Sequence, residues 1–217
     1  MKISHLTAGL FSLALAGSAS AQTIASWDAS TPANAAWGID SGGAWEAALG
    51  FTAGSSAQVG TVGFYLFQGT SHPFDVTYQL WSTLPTTIDI HLTSAAGLLG
   101  TTSVIGDGLS TTNGELVLGD LSSANINLTA GTTYYLYALS NSGGLSWNKT
   151  GDDNASPATF YNSNGGGAAG WTSNQGYKDV GFEVNEAVAA VPEPGTWAAL
   201  AGLAGLGFSL WRRRRLA

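Results

Sequence analysis

Oxygen ligands are densest at Gly151-Asp152-Asp153-Asn154, where two carboxylates and an amide are consecutive. Calcium takes six to eight oxygens, often from such a loop, so Asp152, Asp153 and Asn154 are a candidate structural calcium site. The run lacks the spaced acids and closing glutamate of a complete calcium loop, and solvated turn acids are the competing reading. Asp107 and Asp120 stand in other turns. No other cofactor is expected.

Beyond the N-terminal segment the histidines are His72 and His91. Their separation gives no H-x-x-x-H pair for a metal; His72 reads as a turn residue before Pro73, and His91 as an outward strand position. The absence of cysteine removes thiolate nucleophiles, disulfides and zinc-thiolate sites together. Serine is abundant, but no G-x-S-x-G elbow occurs. Paired carboxylates could hydrolyse glycosides if one sat in an apolar cleft within about 10 Å of the other. Glu46 beside Trp45 is the best of Glu46, Glu115 and Glu183 for that role, and an outward strand position explains it as well. The chain is therefore expected not to be an enzyme, with a secreted glycan hydrolase as the alternative.

Aromatic rings offer binding rather than turnover. Trp147, Tyr161, Trp171 and Tyr177 lie in a Gly/Asn-rich stretch with Asn148, Asn162, Asn164 and Asn174. Rings stack on sugar faces and amides bond sugar hydroxyls, so these four aromatics are candidate glycan contacts in a secreted carbohydrate-binding module. Packing at the end of a β-sandwich is the competing and favoured reading, because aromatics bury large apolar area.

The elements that must position these residues are short strands. Val62, Phe64 and Leu66 alternate with Gly63 and Tyr65; Val76, Tyr78 and Leu80 repeat the pattern, then Ile88, Ile90 and Leu92. Leu116 and Leu118, Ile126 and Leu128, Tyr134, Leu136 and Ala138, and Val180, Phe182 and Val184 continue it. Period-two alternation between Gly, Ser, Asn and Asp clusters predicts antiparallel strands with one buried face. The fold class expected is all-β, an antiparallel β-sandwich of jelly-roll type. Gly42-Gly43, Gly143-Gly144 and Gly165-Gly166-Gly167 read as turns.

Both ends differ from this body. Met1-Lys2, the apolar run Leu6–Ala16 and Ala19-Ser20-Ala21 have the order of a secretory signal peptide, so residues 1–21 are expected to be removed by signal peptidase. Residues 22–190 form the body, with 13 Asp and Glu against Lys149 and Lys178, a formal charge of −11. Such a surface repels phosphate backbones, so nucleic acid is excluded as a partner.

Residues 191–217 form a tail. Val191-Pro192-Glu193-Pro194 precede an uncharged run, Gly195–Trp211, and then Arg212, Arg213, Arg214 and Arg215. A helix over that run would be roughly 26 Å long against a hydrocarbon core of about 30 Å, enough for one transmembrane helix. Arginine costs about 3 kcal/mol at the bilayer centre, so the four stop transfer and hold that end in the cytoplasm. The prolines keep the approach extended and accessible to a protease.

The ordered set of Val191-Pro192-Glu193-Pro194-Gly195-Thr196-Trp197, an Ala/Leu/Gly helix and the arginine cluster resembles the PEP-CTERM sorting domain of Gram-negative bacteria. The resemblance implies exosortase as a processing partner, cleavage near Pro192-Glu193-Pro194, a transient stay in the inner membrane, and delivery to the cell surface or an exopolysaccharide-containing matrix. In the body, Ile126–Leu136, Ser142–Trp147, Gly170-Trp171 and Tyr177–Val184 resemble the choice-of-anchor R domain, a β-rich surface module. That family carries no assigned activity, so it implies architecture only.

Overall fold

A computed structural model describes residues 21–30, 35–39, 45–84, 94–140, 144–149, 158–164, 172–173, 179–188, 202–206, 208 and 211–212. The chain divides into a body, Ala21–Ala187, and a unit formed by Met1–Ser20 and Val188–Ala217.

The body is built from β1 (Thr23–Trp27), β2 (Ala35–Ile39), β3 (Trp45–Thr52), β4 (Ala57–Gln68), β5 (Phe74–Trp81), β6 (Leu98–Gly106) and β7 (Glu115–Asp120). After a 3-10 turn come β8 (Asn127–Leu128), β9 (Thr133–Ser140), β10 (Leu145–Asn148), β11 (Thr159–Asn164), β12 (Thr172–Ser173) and β13 (Phe182–Glu186). The first sheet runs β1-β13-β4-β10-β2, with β7 and β8 also on β4, and the second runs β12-β11-β3-β9-β5-β6. Long β4 explains the branching. Its Val59–Phe64 stretch pairs with β13 and Leu66–Gln68 with β10, while Thr61–Leu66 pairs with β7 and Ala57-Gln58 with β8.

Two four-strand runs, β1-β13-β4-β7 and β3-β9-β5-β6, form the frame. Taken along the chain, these strands cross between sheets in the double Greek-key winding of a jelly roll. β2, β10, β11 and β12 are additions, three of them inserted between β9 and β13.

The inner faces follow the alternation. Val62, Phe64, Leu66, Val76, Tyr78, Leu80, Leu136, Val180, Phe182 and Val184 are fully buried. Contacts cross between the sheets: Phe51 meets Phe182 with ring centroids 5.8 Å apart, Phe64 meets Tyr78 at 6.0 Å, and the Tyr78 hydroxyl donates to the Val117 carbonyl at 2.9 Å. Burial raises the pKa of that hydroxyl.

The phase of β7 corrects the sequence reading. Leu116 and Leu118 were expected inward, but Val117 is buried and Leu118 is 37% exposed. Val117 pairs with Phe64 and shares its inward face, and the next inward position is Gly119, under Tyr78 and Thr102 where a side chain does not fit. A glycine at an inward position breaks the apolar alternation that marks a strand's phase.

The outer face of the second sheet carries its own cluster of Ala48, Trp81, Tyr137 and Leu139, with Leu84, Ala95, Leu98 and Tyr135 packed on it. The expected strand at Ile88–Leu92, the signal peptide and the Gly42-Gly43 and Gly165–Gly167 turns lie outside the described residues. In the tail, 202–206, 208 and 211 are helical, within the expected span, and Arg212 just past it is helical too. Among the described residues no helix is long and apolar enough to cross a membrane.

Candidate functional site

Trp147 is not a glycan platform. It is 1% exposed, stacked on Phe64 at 4.4 Å and 16° and meeting the edge of Phe160 at 5.2 Å and 86°. The reason is strand phase: β10 pairs Trp147 with Leu66, an inward position of β4. The adjacent Asn148 is buried too, its amide donating to the Ala29 carbonyl at 2.7 Å. Both residues hold the sandwich together.

Tyr161 is half-buried on β11. Its ring meets Tyr135 of β9 at 5.7 Å and 67°, and both rings lie over Gly50, where a Cβ would come within 2.9 Å of Tyr161. The glycine is thus the floor that lets the two rings approach across β3. Trp171, Tyr177 and Asn174 lie outside the described residues, as do the side chains of Asn162 and Asn164.

The three candidate glutamates are divided between the two sheets. Glu46 is on β3 of the second sheet, with its side chain outside the described residues, while Glu115 and Glu183 belong to the first sheet. Glu115 is exposed and accepts from the Ser110 amide at 2.8 Å. Glu183 accepts from the Tyr65 hydroxyl at 3.3 Å and from Asn185 at 3.2 Å.

His72 is a turn residue: its Nδ1 lies 3.0 Å from the Pro73 carbonyl and 3.4 Å from the Gln68 amide nitrogen. Its Nε2 faces Gly144, whose φ of +91° favours glycine. His91, Asp152, Asp153 and Asn154 lie outside the described residues, and among the described residues no cluster of His, Asp or Glu could hold a metal. Asp107 is exposed. Asp120 accepts from the Ser122 amide at 2.8 Å, which lowers its pKa.

Sequence reasoning missed one grouping, Asp28, Tyr65 and Glu183. Tyr65 faces outward from β4 and its hydroxyl is shared between the two carboxylates, so burial first and then both charges push its pKa up to about 12. The Ser30 amide donates to Asp28 at 2.8 Å and holds that carboxyl below its usual range. Such a group keeps a neutral phenol as donor; it supplies no nucleophile at neutral pH. The β4–β13 register, Gly63 opposite Glu183, and the β1–β13 pairing, Trp27 opposite Phe182, bring these residues together, and no local motif announces them.

In the tail, Leu203, Leu206, Phe208 and Trp211 are exposed, and the Phe208 and Trp211 rings are 5.8 Å apart one helical turn from each other. Arg212 follows, also exposed; Val191, Pro192, Glu193, Pro194 and Arg213, Arg214 and Arg215 lie outside the described residues. A β-sandwich body ahead of a C-terminal segment with an apolar helix and a basic end defines a class, a domain with its own sorting signal. The particular signal is the PEP-CTERM protein-sorting motif, whose family model matches residues 190–215. The motif suggests an exported, exosortase-processed protein of Gram-negative bacteria, sorted to the cell surface. The match does not extend into the body, and no curated protein matches the chain.

Proposed function

We propose that this chain is a non-enzymatic surface or matrix protein, released from a transient inner-membrane stage by exosortase and associated with exopolysaccharide. Signal peptidase removes residues 1–21, the tail helix holds the body outside the membrane, and cleavage near Pro192-Glu193-Pro194 frees it. The observation that carries the reading is the sorting motif at residues 190–215, directly behind a body whose last strand ends at Glu186. The sequence resemblance of the body to the choice-of-anchor R domain, which the family match at residues 190–215 does not reach, is consistent with a surface module. Fractionation with mass spectrometry of the mature C-terminus tests it: the surface form should end before Gly195. Retention of Arg212–Arg215 on that form would replace release with permanent anchoring.

The half-buried Tyr135–Tyr161 pair favours a second reading, a carbohydrate-binding module. Glycan-array binding that falls on Tyr161→Ala without saccharide turnover supports it. Saccharide cleavage abolished by Glu46→Gln would establish a hydrolase instead.

A further inference from the structure

Oxidants that reach this body find no sulfur to react with. The chain has no cysteine and its methionine is Met1, so the thiols and thioethers that ordinarily take up oxidants are missing from residues 22–190, and aromatic rings are left to react. Tyr65, Tyr78, Tyr134 and Tyr137 are buried. Tyr135 and Tyr161 are the half-buried tyrosines among the described residues.

These two stand on either side of one strand. Tyr135 of β9 is opposite Gly50 of β3, and Tyr161 of β11 is opposite Ala48. They are therefore diagonal neighbours on the outer face of the second sheet, and β3 puts nothing larger than a methyl between them. Their rings meet at 5.7 Å and 67°. A Cβ on Gly50 would lie 2.9 Å from Tyr161 Cε2 and 3.2 Å from Tyr135 Cε1. Cε is the ring carbon ortho to the hydroxyl, so an ortho carbon of each tyrosine borders one small gap that is open because residue 50 is glycine. The hydroxyls also lie in each other's field: burial first, and then Tyr161, raises the pKa of Tyr135.

We propose that Tyr135 and Tyr161 form an oxidative modification site, at which hydrogen peroxide and a haem peroxidase join the two Cε carbons as dityrosine. Each phenol gives up one electron and its proton, leaving a phenoxyl radical whose unpaired spin is shared between the oxygen and the ortho carbons. The two radicals couple in a Cε–Cε bond. Each of those carbons then releases its hydrogen as a proton, and each oxygen takes one up. The protein loses two hydrogens, and one peroxide is reduced to two waters. Exposed side chains change rotamer within nanoseconds, so half-buried rings can turn their ortho carbons together while the strands stay fixed. A ring already in contact reacts as though present at far higher concentration than a ring on a second chain. The bond ties β11 to β9 across β3 in a body that has no cysteine for a disulfide.

Lys149 lies between the two residues in sequence, so trypsin separates them unless they are bonded. Full-length protein in detergent is treated with a haem peroxidase and peroxide, then denatured and digested. The peptide ending at Lys149 should be joined to residues 150–178, two hydrogens lighter than the separate pair, in material that runs as monomer. Tyr161→Phe and Tyr135→Phe, which lack the oxidisable hydroxyl, should each abolish the joined product. Tyr177→Phe, in the same tryptic peptide as Tyr161, should not. Gly50→Ala keeps both phenols and fills the gap, so it should lower the yield several-fold; if thermal melts show that it does not fold, the two phenylalanine variants carry the test. Joined peptides that persist in Tyr161→Phe, that come from dimers alone, or that never form would overturn the proposal, as would an undiminished yield from folded Gly50→Ala. The reaction is read on purified protein, so its outcome does not depend on the sorting reading.

Discussion

The backbone amide of Glu186 donates to the carbonyl of Gln22 at 2.7 Å, so the start of β1 and the end of β13 lie side by side. The next residue, Ala187, is also fixed, its amide donating to Gln58 at 2.8 Å. From there to Pro192 the chain can reach about 17 Å when extended. Deleting Val188, Ala189 and Ala190 cuts that reach to roughly 7 Å and draws the cleavage region against the folded body. Uncut precursor should then accumulate on blots, and replacing the three residues with Gly-Ser-Gly should restore processing.

Trp147→Ala removes a side chain packed between Phe64 and Phe160. Truncating a buried tryptophan costs about 3–5 kcal/mol, which for a body of this size lowers Tm by roughly 10 °C. Thermal melts should show that loss. Tyr161→Ala, at a half-buried position, should lower Tm by much less. A Trp147→Ala melt equal to wild type would mean the ring is not in the core.

Gly63 on β4 leaves room for a backbone: a Cβ there would collide with the Val117 carbonyl of β7. Gly63→Ala must push the strands apart or shift their register. Overpacking costs about 1–3 kcal/mol where side chains yield, and here the obstacle is main chain, so the loss should reach or exceed the upper figure in urea unfolding. Gly131→Ala, with open space around it but φ of +78°, should be milder.

Where alternation was uninterrupted, the inward residues could be read from the chain: Val62, Phe64 and Leu66, or Val180, Phe182 and Val184. It failed at β7, because Gly119 occupies an inward position. β6, with Thr101, Thr102 and Ser103 in sequence, hid among loop-like residues because an edge strand need bury little. The sorting tail was legible because its three elements are consecutive. The Asp28–Tyr65–Glu183 grouping was not, since it depends on register between β4 and β13, 118 residues apart at Tyr65 and Glu183.

The Asp152-Asp153-Asn154 run falls in the connection from β10 of the first sheet to β11 of the second. Calcium bound there in the folded state alone would stabilise the fold by mass action. Adding calcium should raise Tm, chelator should return it, and Asp152→Asn with Asp153→Asn should abolish the response. Identical melts with calcium and with chelator would remove the site.

Tyr65 makes stability fall in alkali. Its pKa is raised from 10.0 to about 12 in the fold, so the unfolded chain loses this proton first. The stabilisation is complete below pH 10 and is lost as pH rises towards 12. Asp28 works in the opposite direction: its pKa is lowered by the Ser30 bonds, so its contribution is present above the ordinary carboxylate range and is lost as pH falls through the folded value. Tyr65→Phe removes the shared donor and should cost about 1 kcal/mol at pH 7. It should also flatten the alkaline decline, leaving the part due to Tyr78 and Tyr135, whose pKa values are likewise raised by burial. Urea unfolding of both proteins at neutral and alkaline pH separates the effects. A difference between them that stays constant from pH 7 to pH 12 would mean that the Tyr65 hydroxyl is solvated like any surface phenol, and that the two carboxylates do not share it.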